Sequence, residues 1–374
     1  MKYFIIAGER SGDLHGSNLI TAIKKADARA EIQGWGGDYM QTAGAEIVMH
    51  YKDLAFMGFV EVLKNLPKIL GFFKLCKKQI QDFQPDAIIL IDYSGFNMRI
   101  AKWAKPQGFK LFYYISPKVW AWNQDRALKL KQNIDKLFVI FPFEVDFFKK
   151  YDYEVEFVGN PLFDAIAAFE PNPDFLNQNK LTNKRIIALL PGSRKQEVEK
   201  MLEVMVATKK QFPEHHFVIA GVGNLSREFY ERFLADDVSI IIDQAYDLLS
   251  HAEAAMVTSG TATLETALLG VPQVVCYRTS WVSYKIAMMV IKVPYISLVN
   301  LIAQKEAVVE LWQDEVTPEN ITEEIKKVLN NSAERQQQLL DYQKIREILG
   351  SAGASAKTGK RIVEILENDN LANN

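Results

Sequence analysis

Glu9, Ser11 and Asp13 stand within "IIAGERSGDLHG" (residues 5–16), at the turn where a short apolar run gives way to a helical pattern. Glycine-bearing turns of this kind commonly hold phosphate against a helix N-terminus. Two carboxylates would repel phosphate, so this turn suits a neutral, hydroxylated ligand. Glu9, Ser11 and Asp13 can exchange hydrogen bonds with sugar hydroxyls, and Gly12 lets the backbone come close. A plain strand-to-helix turn with Asp13 as an exposed cap is the alternative.

Better anion sites lie further along. "IIALLPGSRKQEVEK" reads as a buried strand, a turn and a helix, so that Gly192, Ser193 and the Arg194 guanidinium converge with free helical N–H groups on one ligand. "MVTSGTATLETALLGVP" repeats the device with Ser259, Gly260 and Thr261. Glu265, about one turn into that helix, is placed to accept both hydroxyls of a ribose. Together these features resemble a sugar-nucleotide site. Capping chemistry accounts for either turn alone, but less well for both in one half of the chain. Neither matches G-x-G-x-x-G or the P-loop, which weighs against redox cofactors and ATP hydrolysis.

The elements that must carry these turns are near-continuous apolar runs: "YFIIAG", "DAIILIDY", "KLFYYIS", "KLFVIF" and "VEFVG", then "RIIALLPG", "HFVIAG", "SIIID", "AAMVTSG" and "PQVVCY". Such runs, alternating with helical patterns, predict parallel strands covered on both faces. The polar, Pro- and Asn-rich stretch 169–184 reads as a linker. The expected architecture is α/β, with two Rossmann-like doubly wound domains facing a central cleft, at 1–168 and 185–353. The tail helix 354–374 is a candidate to cross back to the first. With 374 residues and 48% hydrophobic content, the chain can bury two such cores. A net charge of -2 gives no reason to expect nucleic acid. Two distant cysteines, Cys76 and Cys276, point to a reducing compartment. No run is long enough for a signal peptide or a membrane span, the run 286–291 included, so a cytoplasmic protein is expected.

"GERSGDLHG", "DYSGFNMRIAKWAK", "YYISPKVWAWNQDR", "LLPGSRKQEV", "SGTATLE" and "YISLVNLIAQKEAVVELWQ" closely resemble, in order, the motifs of the lipid-A-disaccharide synthase family. The resemblance runs from about residue 3 to beyond residue 340. It implies a GT-B glycosyltransferase with no metal or other cofactor. The implied reaction joins UDP-2,3-diacylglucosamine to 2,3-diacylglucosamine 1-phosphate (lipid X), giving a β-1,6 linked disaccharide and UDP. An α-linked donor and a β product mean inversion, which needs a base and stabilisation of the departing UDP. Asp92 ends "AIILID" and matches the family's Asp in D-x-x-x-F-N, so it is the first choice of base, against a structural capping role. His15 and Asp13 are in reserve. Arg194 should neutralise the diphosphate, and Asn300 and Glu310 match family positions that shape the donor site. Asn97, Trp120, Trp122 and Arg126 fall on the acceptor side with Glu9, Ser11, Gly12 and Asp13. Arg10, Asn123, Val299 and Gln304 depart from the family pattern, which bears on acceptor detail.

Both substrates are acylated, so the enzyme is expected on the cytoplasmic face of the inner membrane, touching anionic lipid through residues 56–80. Beyond Pro67, Ile69, Leu70, Phe72, Phe73 and Cys76 share one helical arc flanked by lysines. A core helix would show the same arc. Two rival functions remain: a peptidoglycan-type N-acetylglucosamine transferase and a UDP-sugar 2-epimerase. Oligomeric state is not legible from the chain.

Overall fold

The computed structural model describes residues 1–54, 66–181, 184–279, 284 and 293–372. They divide into two units, Met1–Asp164 with Ser351–Asn374, and Ala165–Gly350.

In the first unit, β1 (Lys2–Ala7), β2 (Glu31–Gly36), β3 (Glu46–His50), β4 (Ala87–Ile91), β5 (Lys110–Tyr114), β6 (Lys136–Val139) and β7 (Glu156–Phe157) form one parallel sheet, ordered β3-β2-β1-β4-β5-β6-β7. Residues 3–7 of β1 and all of β4 are buried, as a sheet covered on both faces requires. The chain winds outward from β1 through β2 to β3 and then returns to β4 on the other side of β1. The switch point, where doubly wound sheets bind ligands, therefore lies between β1 and β4. Ala7 pairs with Ile91, so Gly8 and Asp92 leave the sheet side by side.

The helices used below in this unit are α1 (Arg10–Ala26), α2 (Asp38–Thr42), α3 (Leu66–Phe83), α4 (Ser94–Ala104), α5 (Arg126–Asn133) and α6 (Pro142–Lys149). In the second unit they are α7 (Lys195–Ala207), α8 (Thr261–Leu268) and α9 (Leu298–Ala303), and α10 (Ala354–Ala372) returns to the first. α10 packs along α1 so closely that a Cβ on Gly359 would come 2.7 Å from Ala22 Cβ. The Asp164 carboxylate accepts from the N–H groups of Gly353 and, at 3.1 Å, Ser355, which fixes the start of α10. Ile362, Val363 and Leu366 of α10 complete the core around β1 and β4.

In the second unit, β8 (Arg185–Leu190), β9 (His215–Gly221), β10 (Val238–Ile242), β11 (Ala252–Thr258), β12 (Gln273–Tyr277) and β13 (Glu310–Trp312) form a parallel sheet, ordered β10-β9-β8-β11-β12-β13. The same winding puts its switch point between β8 and β11. Within the stretch read as a linker, Phe175–Gln178 is helical, and Phe175 is fully buried in the core of this unit. Cys76 and Cys276 are buried and unbridged. No helix among the described residues is long and apolar enough to cross a membrane.

α3 corrects the sequence reading of 56–80 as a uniform lipid contact. Phe73 is 9% exposed and stacks on Phe96, with centroids 4.4 Å apart and planes 12° apart. Phe72 meets Trp35 edge-on at 6.2 Å, and Cys76 and Ile80 are fully buried. The apolar arc faces the core, and the outward face carries Leu70 (57% exposed) and Leu75 (37%) beside Lys74 and Lys78, while Ile69 is half-buried. Residues 56–65 lie outside the described residues.

Candidate active site

At the first switch point, the turn after β1 does not use its two carboxylates alike. Glu9 begins α1 with extended backbone, and its carbonyl accepts from Asp13 N–H at 2.9 Å. Asp13 is buried, and its carboxylate accepts from the N–H groups of Gly37 (2.8 Å), Met40 (3.0 Å) and Tyr39 (3.1 Å). It caps α2 from a neighbouring helix, which rules out the expected roles of sugar ligand and reserve base. Gly12 is needed for packing, since a Cβ there would lie 3.2 Å from Ala7 Cβ. Ser11 is exposed at the same turn and Glu9 half-buried. Burial drives the His15 imidazole down to about 4, against the pull of Asp164, and its Nδ1 has no partner among the described residues. The ring is therefore neutral near pH 7.

Asp92 directly follows β4 in a left-handed conformation (φ 44°), and so does Tyr93 (φ 45°). Two successive non-glycine residues in this region are strained and must be held there. The Asp92 carbonyl accepts from Asn97 Nδ2 at 2.9 Å and from the Tyr113 hydroxyl. Tyr93 lays its ring over Gly8, where a Cβ would stand 2.3–2.5 Å from three ring carbons. The residue at 92 is exposed. Crowding around its carboxyl nonetheless raises the pKa, opposed by the charge of Lys118 and the Tyr93 N–H. Asn97 is fully buried beneath this turn and not placed to touch a sugar, which corrects its assignment to the acceptor.

"SPKVWAW" divides in the same way. Trp120 is buried, with its Nε1–H donating to Glu144 at 3.2 Å, and Glu144 also accepts from Ile140 and Phe141 N–H, both at 3.0 Å, at the head of α6. Burial pushes the Glu144 carboxyl up to about 7, while these donors and Lys118 pull it down. Trp122 is 43% exposed, with the Arg126 guanidinium 4.6 Å above its ring. Of the acceptor-side candidates on this segment, Trp122 and Arg126 are accessible and Trp120 is not.

The second switch point holds both turns singled out in the sequence. Gly192, at φ 102°, is left-handed, and a Cβ there would collide with Glu197 Oε2 at 2.3 Å. A carboxylate from the first turn of α7 therefore lies over the Gly192 turn. Arg194 caps α7 through its carbonyl, no side chain caps the helix N–H groups, and Ser193 and Arg194 are exposed. Across the switch, Ser259 Oγ donates to the Ile296 carbonyl at 2.9 Å, Gly260 is extended, and Thr261 is exposed at the uncapped start of α8. Glu265 accepts from the Tyr246 hydroxyl at 2.9 Å, and its pKa is raised by burial. This geometry suits an anion, with an arginine and two helix N-termini at adjacent strand ends.

Asn300 and Glu310 hold the loop that Ser259 bonds to. Asn300 is fully buried: Nδ2 donates to the Val308 carbonyl (2.8 Å) and Glu310 (2.9 Å), and Oδ1 accepts from Ala307 and Val308 N–H (2.8 and 2.9 Å). Its hydrogen-bonding capacity is spent on the protein. Glu310 accepts from Ile296 and Ser297 N–H, both at 2.9 Å, at the head of α9. The pair knits the loop beside Ser259, and Glu310 stays half-buried. Among the described residues, no group of three or more His, Cys, Asp or Glu is placed to hold a metal ion.

The sequence model of the family described as Lipid-A-disaccharide synthetase matches residues 3–363. The chain belongs to this family. A lipid-A-disaccharide synthase of Geobacter metallireducens is 36% identical over 98% of this chain and 97% of its own. Membership makes the protein a glycosyltransferase of lipid A biosynthesis, a hexosyltransferase. Among solved structures, the UDP-GlcNAc 2-epimerase from Neisseria meningitidis bound to UDP-GlcNAc superimposes with a TM-score of 0.65 at 16% identity, covering 98% of this chain and 100% of its own. CalG4, the calicheamicin glycosyltransferase, gives 0.60 at 16% identity over 98% of each chain. These likenesses show the GT-B fold and no more. The residues missed in the sequence are Gly8, Tyr93, Tyr113, Glu144 and Tyr246. The paired hydroxyls of Tyr113 and Tyr114 in a buried strand were the legible signal, and only the fold shows that the one at Tyr113 reaches the Asp92 carbonyl.

Proposed function

We propose that this family member transfers the diacylglucosamine unit of UDP-2,3-diacylglucosamine to the 6-hydroxyl of 2,3-diacylglucosamine 1-phosphate (lipid X), giving the β-1,6 linked disaccharide 1-phosphate and UDP. The observation that carries this reading is the exposed Arg194 beside the uncapped starts of α7 and α8 at the second switch point. There a diphosphate is met by one guanidinium and two sets of N–H groups, with Glu265 taking the ribose. The first unit supplies the acceptor side. Asp92 takes the proton of the attacking hydroxyl as its oxygen bonds to the anomeric carbon. The bond to UDP breaks on the opposite face, its electron pair passes to the β-phosphate oxygen, and the anomeric configuration inverts. The raised pKa of Asp92 suits a base that must accept a proton. Trp122 and Arg126, with Ser11 and Glu9, are proposed to receive the acceptor, the guanidinium facing its phosphate. The outward face of α3, with Leu70, Leu75, Lys74 and Lys78, is proposed to rest on anionic lipid at the cytoplasmic face of the inner membrane.

The test is incubation with the UDP-sugar alone, then with acceptor, each in acylated and unacylated form. Disaccharide and UDP forming only when both acylated sugars are present is the expected result. An isomeric UDP-sugar formed without acceptor would make the protein an epimerase, and transfer to a polyprenyl-linked acceptor would make it a peptidoglycan-type transferase.

A further inference from the structure

The Asp92 turn is held by residues that touch no substrate in the reaction proposed above. Three contacts converge on it. Asn97 Nδ2 donates to the carbonyls of Asp92 (2.9 Å) and Ile91 (3.2 Å), and the Tyr113 hydroxyl donates to the Asp92 carbonyl. The Tyr93 ring covers Gly8, where no side chain would fit, and continues into a stack on Phe96 at 5.5 Å and 26°. Left to themselves, Asp92 and Tyr93 would leave the left-handed region, because each non-glycine residue there costs of order 1 kcal/mol or more. A strand continuing in extended conformation would alternate its side chains between the two faces of the sheet. The doubled left-handed step breaks that alternation and leaves the residue at 92 exposed just past β4.

We propose that Asn97 and Tyr113 are positioning residues for Asp92: by gripping its carbonyl they impose the left-handed pair and aim the carboxylate at the acceptor hydroxyl, while Gly8 is glycine so that Tyr93 can seat the turn. The inference rests on Asp92 as base and extends it to groups without substrate contact. The crowding that raises the Asp92 pKa belongs to this held geometry, so loosening the grip lowers it.

Tyr113→Phe removes one oxygen from a fully buried ring and is the cleanest test. Expected are a roughly tenfold fall in kcat, a donor KM within twofold, a melting temperature within a few degrees, and an acid limb of the pH–rate profile moved to lower pH by at least half a unit. Asn97→Leu should act in the same direction and more strongly. Gly8→Ala should cost as much again, and that added cost should vanish in a Tyr93→Ala background, where the colliding ring is gone. Unchanged kcat and an unmoved acid limb in Tyr113→Phe would overturn the proposal, as would a fall in kcat that merely tracks lost stability with the limb in place. Asp92→Asn, measured alongside, separates the two claims. If it leaves turnover intact, the base assignment fails and the positioning claim falls with it; if it abolishes turnover while the Tyr113 and Asn97 variants behave as wild type, only the positioning claim is lost.

Discussion

Replacing Phe73 by serine should destabilise the first unit while leaving vesicle binding intact, and replacing Leu70 and Leu75 by serine should do the reverse. Phe73 is 9% exposed and stacks on Phe96 at 4.4 Å, with the Arg99 guanidinium 5.4 Å from its ring. Emptying such a site costs about 3–5 kcal/mol. In a unit of this size that corresponds to a melting temperature lower by roughly 10 °C. Leu70 and Leu75 have 57% and 37% of their surface still in water. A fully buried leucine is worth about 1.5–3 kcal/mol, so lipid has about 2 kcal/mol left to gain from the pair. Their removal should weaken partition to anionic vesicles roughly thirtyfold, with melting shifted by about 2 °C at most. Thermal melting and vesicle sedimentation on both variants decide the matter. Unchanged melting in Phe73→Ser with lost vesicle binding would refute the inward assignment, and wild-type sedimentation of the leucine variant would remove α3 as the lipid-facing surface.

Arg194→Ala should lose on the order of 3 kcal/mol of transition-state stabilisation, about a hundredfold in kcat; activity within threefold of wild type would dismiss its role. Asp92→Asn should cut turnover by roughly a hundredfold or more with UDP affinity unchanged by calorimetry, because asparagine tolerates the left-handed backbone but cannot take the proton. His15, lowered from 6.5 to about 4, contributes stability above its unfolded pKa that is lost as pH falls from about 6.5 to 4, on the order of 3 kcal/mol; His15→Gln should flatten that limb in denaturant titrations. Glu144, raised from 4.5 to about 7, acts oppositely, favouring the fold below pH 4.5 and costing stability as pH rises to 7, so the two largely cancel until one is replaced.

Sequence reached the central strands because parallel strands buried on both faces are written as unbroken apolar runs. It missed β2, where Gly34 and Gly36 interrupt the run, and β3 and β13, which lie at sheet edges and are partly exposed. Gly34 is required by a neighbour no local pattern reveals: a Cβ there would stand 2.0 Å from the Ile5 carbonyl oxygen. The second unit's turns were legible because strand, turn and helix are contiguous. Asp13 was misread because its donors lie 24 to 27 residues further on. The partners of Asn300 are close in sequence, but only the folded loop shows that none of its hydrogen-bonding capacity is left over. The left-handed pair at 92 and 93 carries no glycine to announce it, since tertiary contacts impose it. Phe73 was ambiguous in principle, because an apolar arc has the same period against a core as against lipid.

The return of α10 to the first unit sets an order of events during synthesis. β1 to β7 leave the ribosome first, yet the core around β1 and β4 stays open until Ile362, Val363 and Leu366 arrive. All six strands of the second unit precede those residues, so that sheet can close while the first still lacks its last helix. The half that emerges first is thus the half that matures last. Its nascent form keeps the groove along α1 uncovered for the time taken to translate everything between Asp164 and Gly353, and holdase chaperones should engage that groove rather than the second unit.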